Sequence, residues 1–191
     1  IDPKNKIDGK MDIAISNGKI LQVARDIAAK EAKQIIDVAG MYVTPGLIDM
    51  HAHAFHGTDP ISYLADGWDA LPPDGFTFRA GVTTIVDAGC AGWRNFRAFK
   101  KQTIDRSRTR ILALLNIVGA GMYGRFEEQN VDDMNPEMCA YMITRLFPSI
   151  LVGVKSAHYW GADFTQVDQA VKAGVLAKVP VMVDLGEHRP T

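Results

Sequence analysis

The chain has 191 residues, 47% of them hydrophobic and 23% charged, and a net charge of −1. That is the composition of a globular domain with a core of its own, and it excludes the basic footprint of a nucleic-acid binder or of a polybasic membrane-surface segment. No apolar run reaches the length of a transmembrane span.

Residues 1–43 read as short strands and turns. Residues 11–15 alternate in polarity, Asn17-Gly18 is a favoured hairpin turn, and residues 19–23 lead away from it. A third strand is expected at 34–38. Over 44–191 the pattern changes to strand followed by helix, repeated, which argues for a parallel α/β architecture. Strands are predicted at 47–50, 83–87, 111–117, 151–155 and 181–184, each apolar as strands covered on both faces should be. Helices are predicted at 93–103, 136–147 and 164–177. Residues 59–80, rich in proline, glycine and aromatics, read as a long loop with one helix.

The stretch VTPGLIDMHAH, residues 43–53, carries most of the chemistry. Pro45-Gly46 supplies a sharp entry into a buried strand that ends in His51 and His53. Side chains two apart on a strand share a face, so both imidazoles can converge on one divalent ion of the zinc type. Two histidines in such spacing also occur as plain surface or core residues. Polar residues recur, however, at the ends of the other predicted strands: Asp87, Asn116, Lys155 and Asp184. That regularity favours a metal site over scattered polarity. Asp87 reads as a structural acid that hydrogen-bonds loop amides. Cys90 and Cys139 have no CxxC spacing and read as buried thiols. For Cys90, in DAGCAG, packing is favoured over facing a site. GAGMYG, residues 119–124, looks superficially like a dinucleotide fingerprint but lacks the helix and the acid that such a site needs.

PGLID-x-H-x-H resembles the signature of the amidohydrolase superfamily, in which it ends the first strand of a (β/α)8 TIM barrel. The similarity runs along nearly the whole chain and is strongest to the amidohydrolase/deacetylase metallohydrolases, relatives of dihydroorotases. The resemblance implies that residues 1–43 are part of a flanking β-sandwich and residues 44–191 the first half of a metal-dependent barrel. A complete barrel needs roughly 250 residues and only five strands are visible, so the remainder of the same protein is expected to close it, and the 191 residues alone to be neither a stable barrel nor a catalyst.

The expected activity is hydrolysis of an amide or ester bond in a small molecule by metal-activated hydroxide, with one or two divalent ions, zinc foremost. By resemblance, Lys155 in GVKSAHY is carbamylated and bridges two metals. The residue-level alternative is a lysine that snorkels into solvent or pairs with an acid. Asp184 stands where many relatives carry a ligating histidine. It is read as a metal ligand, with His188 as a second candidate. The general base of the family lies beyond Thr191. His56 and His158 fall on loops at the active face, and His158 is the candidate substrate contact. Tyr159, Trp160, Met122 and Tyr123 are candidate pocket walls. Phe55 stands where dihydroorotase-type relatives carry a carboxylate-gripping arginine, which argues against dihydroorotate as substrate.

The alternative from another class is an inactive barrel homologue serving as a scaffold or interaction protein. A cytoplasmic location is expected. A removed signal peptide is left open because the chain begins at Ile1 without methionine, and a homo-oligomer is left open too.

Overall fold

A computed structural model describes residues 1–56, 70–124 and 126–186, the side chain of Glu31 excepted. The chain divides into two units, Ile1–Pro45 and Gly46–Thr191.

The first unit is built on an antiparallel hairpin, β1 (Asp12–Ser16) with β2 (Lys19–Ala24), in which Ser16 faces Lys19. Asn17 and Gly18 both have positive φ, 52° and 71°, as a tight two-residue hairpin turn requires. The strand expected at 34–38 does not form. Ile35 and Ile36 are exposed, and no strand partner is present among the described residues. An extended segment becomes a strand only when its amides find a ladder.

The second unit is one parallel sheet in the order β3 (Leu47–Ala52), β4 (Val82–Asp87), β5 (Arg110–Asn116), β6 (Leu151–Ala157), β7 (Val181–Asp184), curled as a half-barrel. The predicted strands all form: those at 47–50 and 151–155 run two residues further, 83–87 begins one residue earlier, 111–117 is shifted back by one, and 181–184 is as predicted. The central ones behave as apolar strands covered on both faces: Ile85, Leu115 and Val154 are fully buried. At the edge, β3 departs from that expectation, with Leu47, Ile48 and Met50 left 58%, 62% and 66% exposed.

Three helices cross over the sheet: α1 (Phe96–Gln102), α2 (Pro136–Tyr141) and α3 (Thr165–Ala177). α1 begins later than predicted because the Asn95 side chain accepts from Gly92 N–H (2.9 Å) and donates to the Ala120 carbonyl (2.8 Å), which holds 92–95 as a turn. α2 starts at an Asn135 cap that accepts from Met138 N–H (2.9 Å), with Pro136 in the first helical position, and continues as a π-helical turn over Met142–Leu146. Between α1, α2 and the sheet an aromatic core forms, Phe55 stacked on Phe99 (4.9 Å) and Phe96 edge-on to Phe147 (4.9 Å). Most of the loop read at 59–80 lies outside the described residues. Its end forms short 3-10 turns at Pro73–Gly75 and Phe78–Ala80. No described helix is long and apolar enough to cross a membrane.

Candidate active site

The carboxyl ends of β3 to β7 lie side by side, so the parallel register brings the strand-end polar residues to one face. Ala52 pairs with Asp87, Asn116 with Lys155, and Ala157 with Asp184. The expected ligands His51, His53, Lys155 and Asp184 do not form one cluster: His53 groups with Asp87 and Cys90, and His51, Lys155 and Asp184 line a cleft, so the strand ends make two corners with a glycine between them.

The first corner surrounds His53. Its Nδ1 lies 3.2 Å from Cys90 Sγ, and one ligand atom each from His53, Asp87 and Cys90 lie within 4.8 Å of one another. Asp87 is completely buried at the tip of β4. Its two oxygens accept from the amides of Ala54 and Cys90, both at 2.8 Å, which is the structural role read from the sequence. Burial nevertheless raises its pKa, against those hydrogen bonds and the attraction of His53. Burial, and then the Asp87 charge, drive the Cys90 thiol well above its ordinary value. Cys90 is buried, as its packing role requires, but its sulfur also faces the site. The His51 ring stands 5.4 Å from that of His53, edge-on.

The second corner surrounds Lys155, which is 1% exposed. Its stem packs on Gly89, where a Cβ would lie 2.5 Å from Lys155 Cβ and Cγ, so a glycine at φ +88° opens the space the lysine fills. Lys155 Nζ lies 3.4 Å from Asp184 Oδ2. Asp184 Oδ1 accepts from Gly186 N–H (3.0 Å). Burial would raise the Asp184 pKa, but that hydrogen bond, Lys155 and His158 together hold it below the usual carboxylate value. His51, Lys155 and Asp184 line a common open cleft of about 650 Å3 with the β7 tip.

His158, two residues past the buried Ser156, is half-buried. Its Nδ1 is 3.0 Å from Glu128 Oε2 and its Nε2 3.8 Å from Asp184 Oδ2. The hydrogen bond to Glu128 is the main cause of its raised pKa. Glu128 is itself 2% exposed, and burial raises its pKa more than His158, Lys155 and the Asn116 side chain lower it. Nothing in the sequence singled Glu128 out: FEEQN is a polar loop run without periodicity, and only the fold buries one of its acids. Asn116 is a scaffold residue, its amide donating to the Gly89 carbonyl (3.1 Å) and its oxygen accepting from Val118 N–H (3.0 Å).

His56, Met122, Tyr123, Tyr159 and Trp160 are not among the residues that line the cleft beside Lys155. His56 Nδ1 is 3.1 Å from the Ala54 carbonyl, and the ring lines a separate small cavity with Pro72, Thr103 and Arg106. Trp160 packs edge-on to Phe126 (5.8 Å), and Met122 is buried with its N–H on the Cys90 carbonyl (3.0 Å). His188 lies outside the described residues.

The second unit is thus a half-barrel of parallel strands with H-x-H on its edge strand and a buried lysine on its fourth. No protein-family model matches the chain. It is 33% identical over 193 residues to a deacetylase of Agrobacterium fabrum, covering 96% of this chain and 45% of that protein. To a dihydroorotase of Citrifermentans bemidjiense it is 40% identical over 125 residues, 63% of this chain and 27% of the relative. Among solved structures it superimposes on an adenine deaminase with a TM-score of 0.80 at 26% identity, covering 94% of this chain and 48% of that one. A dihydroorotase gives 0.72 at 31% identity, covering 95% and 49%. The chain belongs to the amidohydrolase superfamily. It spans just under half the length of the deacetylase and of both solved structures.

Proposed function

We propose that this chain is the first half of a metal-dependent amidohydrolase that cleaves an acyl amide or ester in a small molecule, an N-acyl amino acid or O-acyl hydroxy acid being the first class to test. The observation that carries the reading is the convergence of His51, Lys155 and Asp184 on one cleft beside His53. The donor set fits a divalent ion: neutral imidazoles, a carboxylate and, next to them, a thiol, all chemically competent ligands of zinc. His51 and His53 would hold one ion, and Lys155, carbamylated, would bridge to a second held by Asp184. Bound there, a divalent ion supplies Lewis acidity that makes water a competent nucleophile near neutral pH and polarises the acyl carbonyl.

The chain's own residues do the rest. In the net reaction water adds to the carbonyl carbon, the C–N or C–O bond breaks, and the proton lost by water ends on the leaving amine or alcohol. Asp87, tied down by two amides, sets the direction of the β4 loop and hence of Cys90 and Gly89. Before carbamylation Asp184 balances the Lys155 amine at 3.4 Å, and through the Gly186 amide it anchors the β7 tip. His158, at the rim beside Asp184, is the candidate contact to the substrate's polar group. Phe55 is wholly buried against Phe99, so the position where dihydroorotase-type relatives carry an arginine points into the core rather than at a substrate carboxylate. Dihydroorotate is therefore expected to be a poor substrate.

A specific distance favours a second ligand arrangement within the same function. Cys90 Sγ at 3.2 Å from His53 Nδ1 suits a site in which the thiolate joins His53 directly. Binding there would release the thiol proton, because burial keeps Cys90 protonated otherwise. The scaffold alternative, with an inert site, is disfavoured by relatives named deacetylase and dihydroorotase.

Elemental analysis of the full-length protein, purified without a polyhistidine tag, together with an acyl-substrate screen, tests the reading. Stoichiometric zinc or a similar ion and deacylation of at least one small acid are expected. A protein free of metal and inert to all acyl substrates would favour the scaffold.

A further inference from the structure

We propose that Glu128 is a positioning residue for His158, fixing which imidazole nitrogen is presented beside Lys155 and Asp184 at the strand-end site. The inference rests on the hydrolase reading above only for what His158 then does.

The backbone of His158 is in the left-handed region, φ +56°, which a residue with a side chain adopts at a cost and keeps only when its surroundings over-determine it. Its N–H donates to the Asp184 carbonyl (3.0 Å), and its own carbonyl accepts from Gln129 Nε2 (2.9 Å). Its ring is held through Nδ1 by Glu128 Oε2 at 3.0 Å. Glu128 and Gln129 are adjacent on the loop from β5 to α2, so one loop grips both the main chain and the ring of His158. That loop is in turn anchored from below. Gln166 Nε2 donates to the Glu128 carbonyl (3.0 Å), and Gln166 Oε1 accepts from Ser156 Oγ (2.8 Å).

A carboxylate that merely stabilised the loop would have both oxygens satisfied. Glu128 is almost fully buried, yet its Oε1 has no hydrogen-bond partner among the described residues. Burying an acid so incompletely paired is unfavourable. What the burial achieves is directional. With Nδ1 held by Oε2, the ring turns Nε2 toward Asp184, 3.8 Å from its Oδ2. A carboxylate behind a functional imidazole sets its tautomer and orientation in this way.

The test uses the full-length, metal-loaded protein containing this chain, with Glu128→Gln, Glu128→Leu, His158→Asn and the two double variants. Glu128→Gln, nearly isosteric, should lower kcat about 10-fold, and Glu128→Leu about 100-fold, with KM changed less than kcat and metal content unchanged. In the His158→Asn background both Glu128 substitutions should cost less than about 2-fold, because the route through the imidazole is gone. Nitrogen NMR of the neutral His158 ring should report the Nδ1–H form in the native protein and a mixture in Glu128→Leu. Losses that multiply independently of His158, or an unchanged tautomer in both Glu128 variants, would overturn the proposal. The tautomer readout needs no turnover. A shifted tautomer in a protein that hydrolyses no acyl substrate sinks the hydrolase reading and leaves Glu128 in its role, whereas active protein with independent losses sinks only the role.

Discussion

The two corners of the site solve the problem of burying polar groups in different ways. Around His53, the buried acid is Asp87, whose oxygens accept from two backbone amides, and the neighbouring thiol is kept neutral by burial. Around Lys155, charge answers charge: an almost fully buried ammonium has Asp184 at 3.4 Å, and Glu128 and His158 close the circuit. The first corner is tied by backbone hydrogen bonds, and burial opposes the loss of its protons. The second is already balanced and changes its balance if the lysine changes its charge. Gly89 lies between them, on the loop that carries Cys90 and against the Lys155 stem, so movement in one corner is felt in the other.

The largest effects should come from removing a corner outright. His53→Ala is expected to strip metal from the protein and reduce activity by at least about 1,000-fold, checked by elemental analysis after dialysis and by initial rates. Retention of a full metal complement would mean that the first corner is not the metal's seat. Lys155→Ala should abolish activity to a similar degree. Partial rescue by short carboxylic acids would support the carbamate, and normal activity without Lys155 would remove it from the site.

Gly89→Ala tests the coupling between the corners. The added methyl would lie 2.5 Å from Lys155 Cβ, at a backbone φ of +88° that alanine resists, so stability should fall by about 2–3 kcal/mol and activity by about 100-fold. A denaturation curve and a rate assay on the same sample measure both, and unchanged values in each would show the corners to be independent. Cys90→Ser is milder. It should leave the fold intact and weaken metal affinity about 10–100-fold, read from chelator competition. No change would assign Cys90 to packing alone.

The smallest effect is a reference point outside both corners. Asp74 accepts from Arg108 N–H, Thr109 N–H and Thr109 Oγ1 at 2.7–2.8 Å. Partial burial opposes them, but these donors hold its pKa below the ordinary 3.8. A depressed carboxylate stabilises the fold above its unfolded value and loses that contribution as pH falls through the lowered one. Asp74→Ala should therefore cost about 1 kcal/mol at neutral pH, small because the group is exposed, and the difference from the native chain should shrink below about pH 4. Metal content should not change. A stability difference that stays constant down to strong acid would show that the carboxylate charge is not responsible.

The strand-and-helix pattern over 44–191 was legible because each strand is a short apolar run and the helices carry their own start signals, such as Asn135-Pro136. His51, His53, Lys155 and Asp184 were legible for a related reason: a parallel sheet must gather its strand ends on one face, so a polar residue closing an apolar run declares its position. The strand expected at 34–38 failed because local alternation cannot supply a pairing partner. The late start of α1 escaped because Asn95 spends its side chain on Gly92 and Ala120, 25 residues away in the latter case. Glu128 escaped for the strongest reason. A glutamate in a polar loop looks solvated in one dimension, and only the packing of the β5–α2 loop over the ends of β5 and β6 takes it out of water and sets it against His158. Sequence determined which residues could do chemistry at the strand ends. Tertiary structure decided which of them are buried, which face one another, and that Cys90 is a neighbour of His53 as well as part of the core, because burial and mutual distance are properties of the packed chain and of no local segment of it.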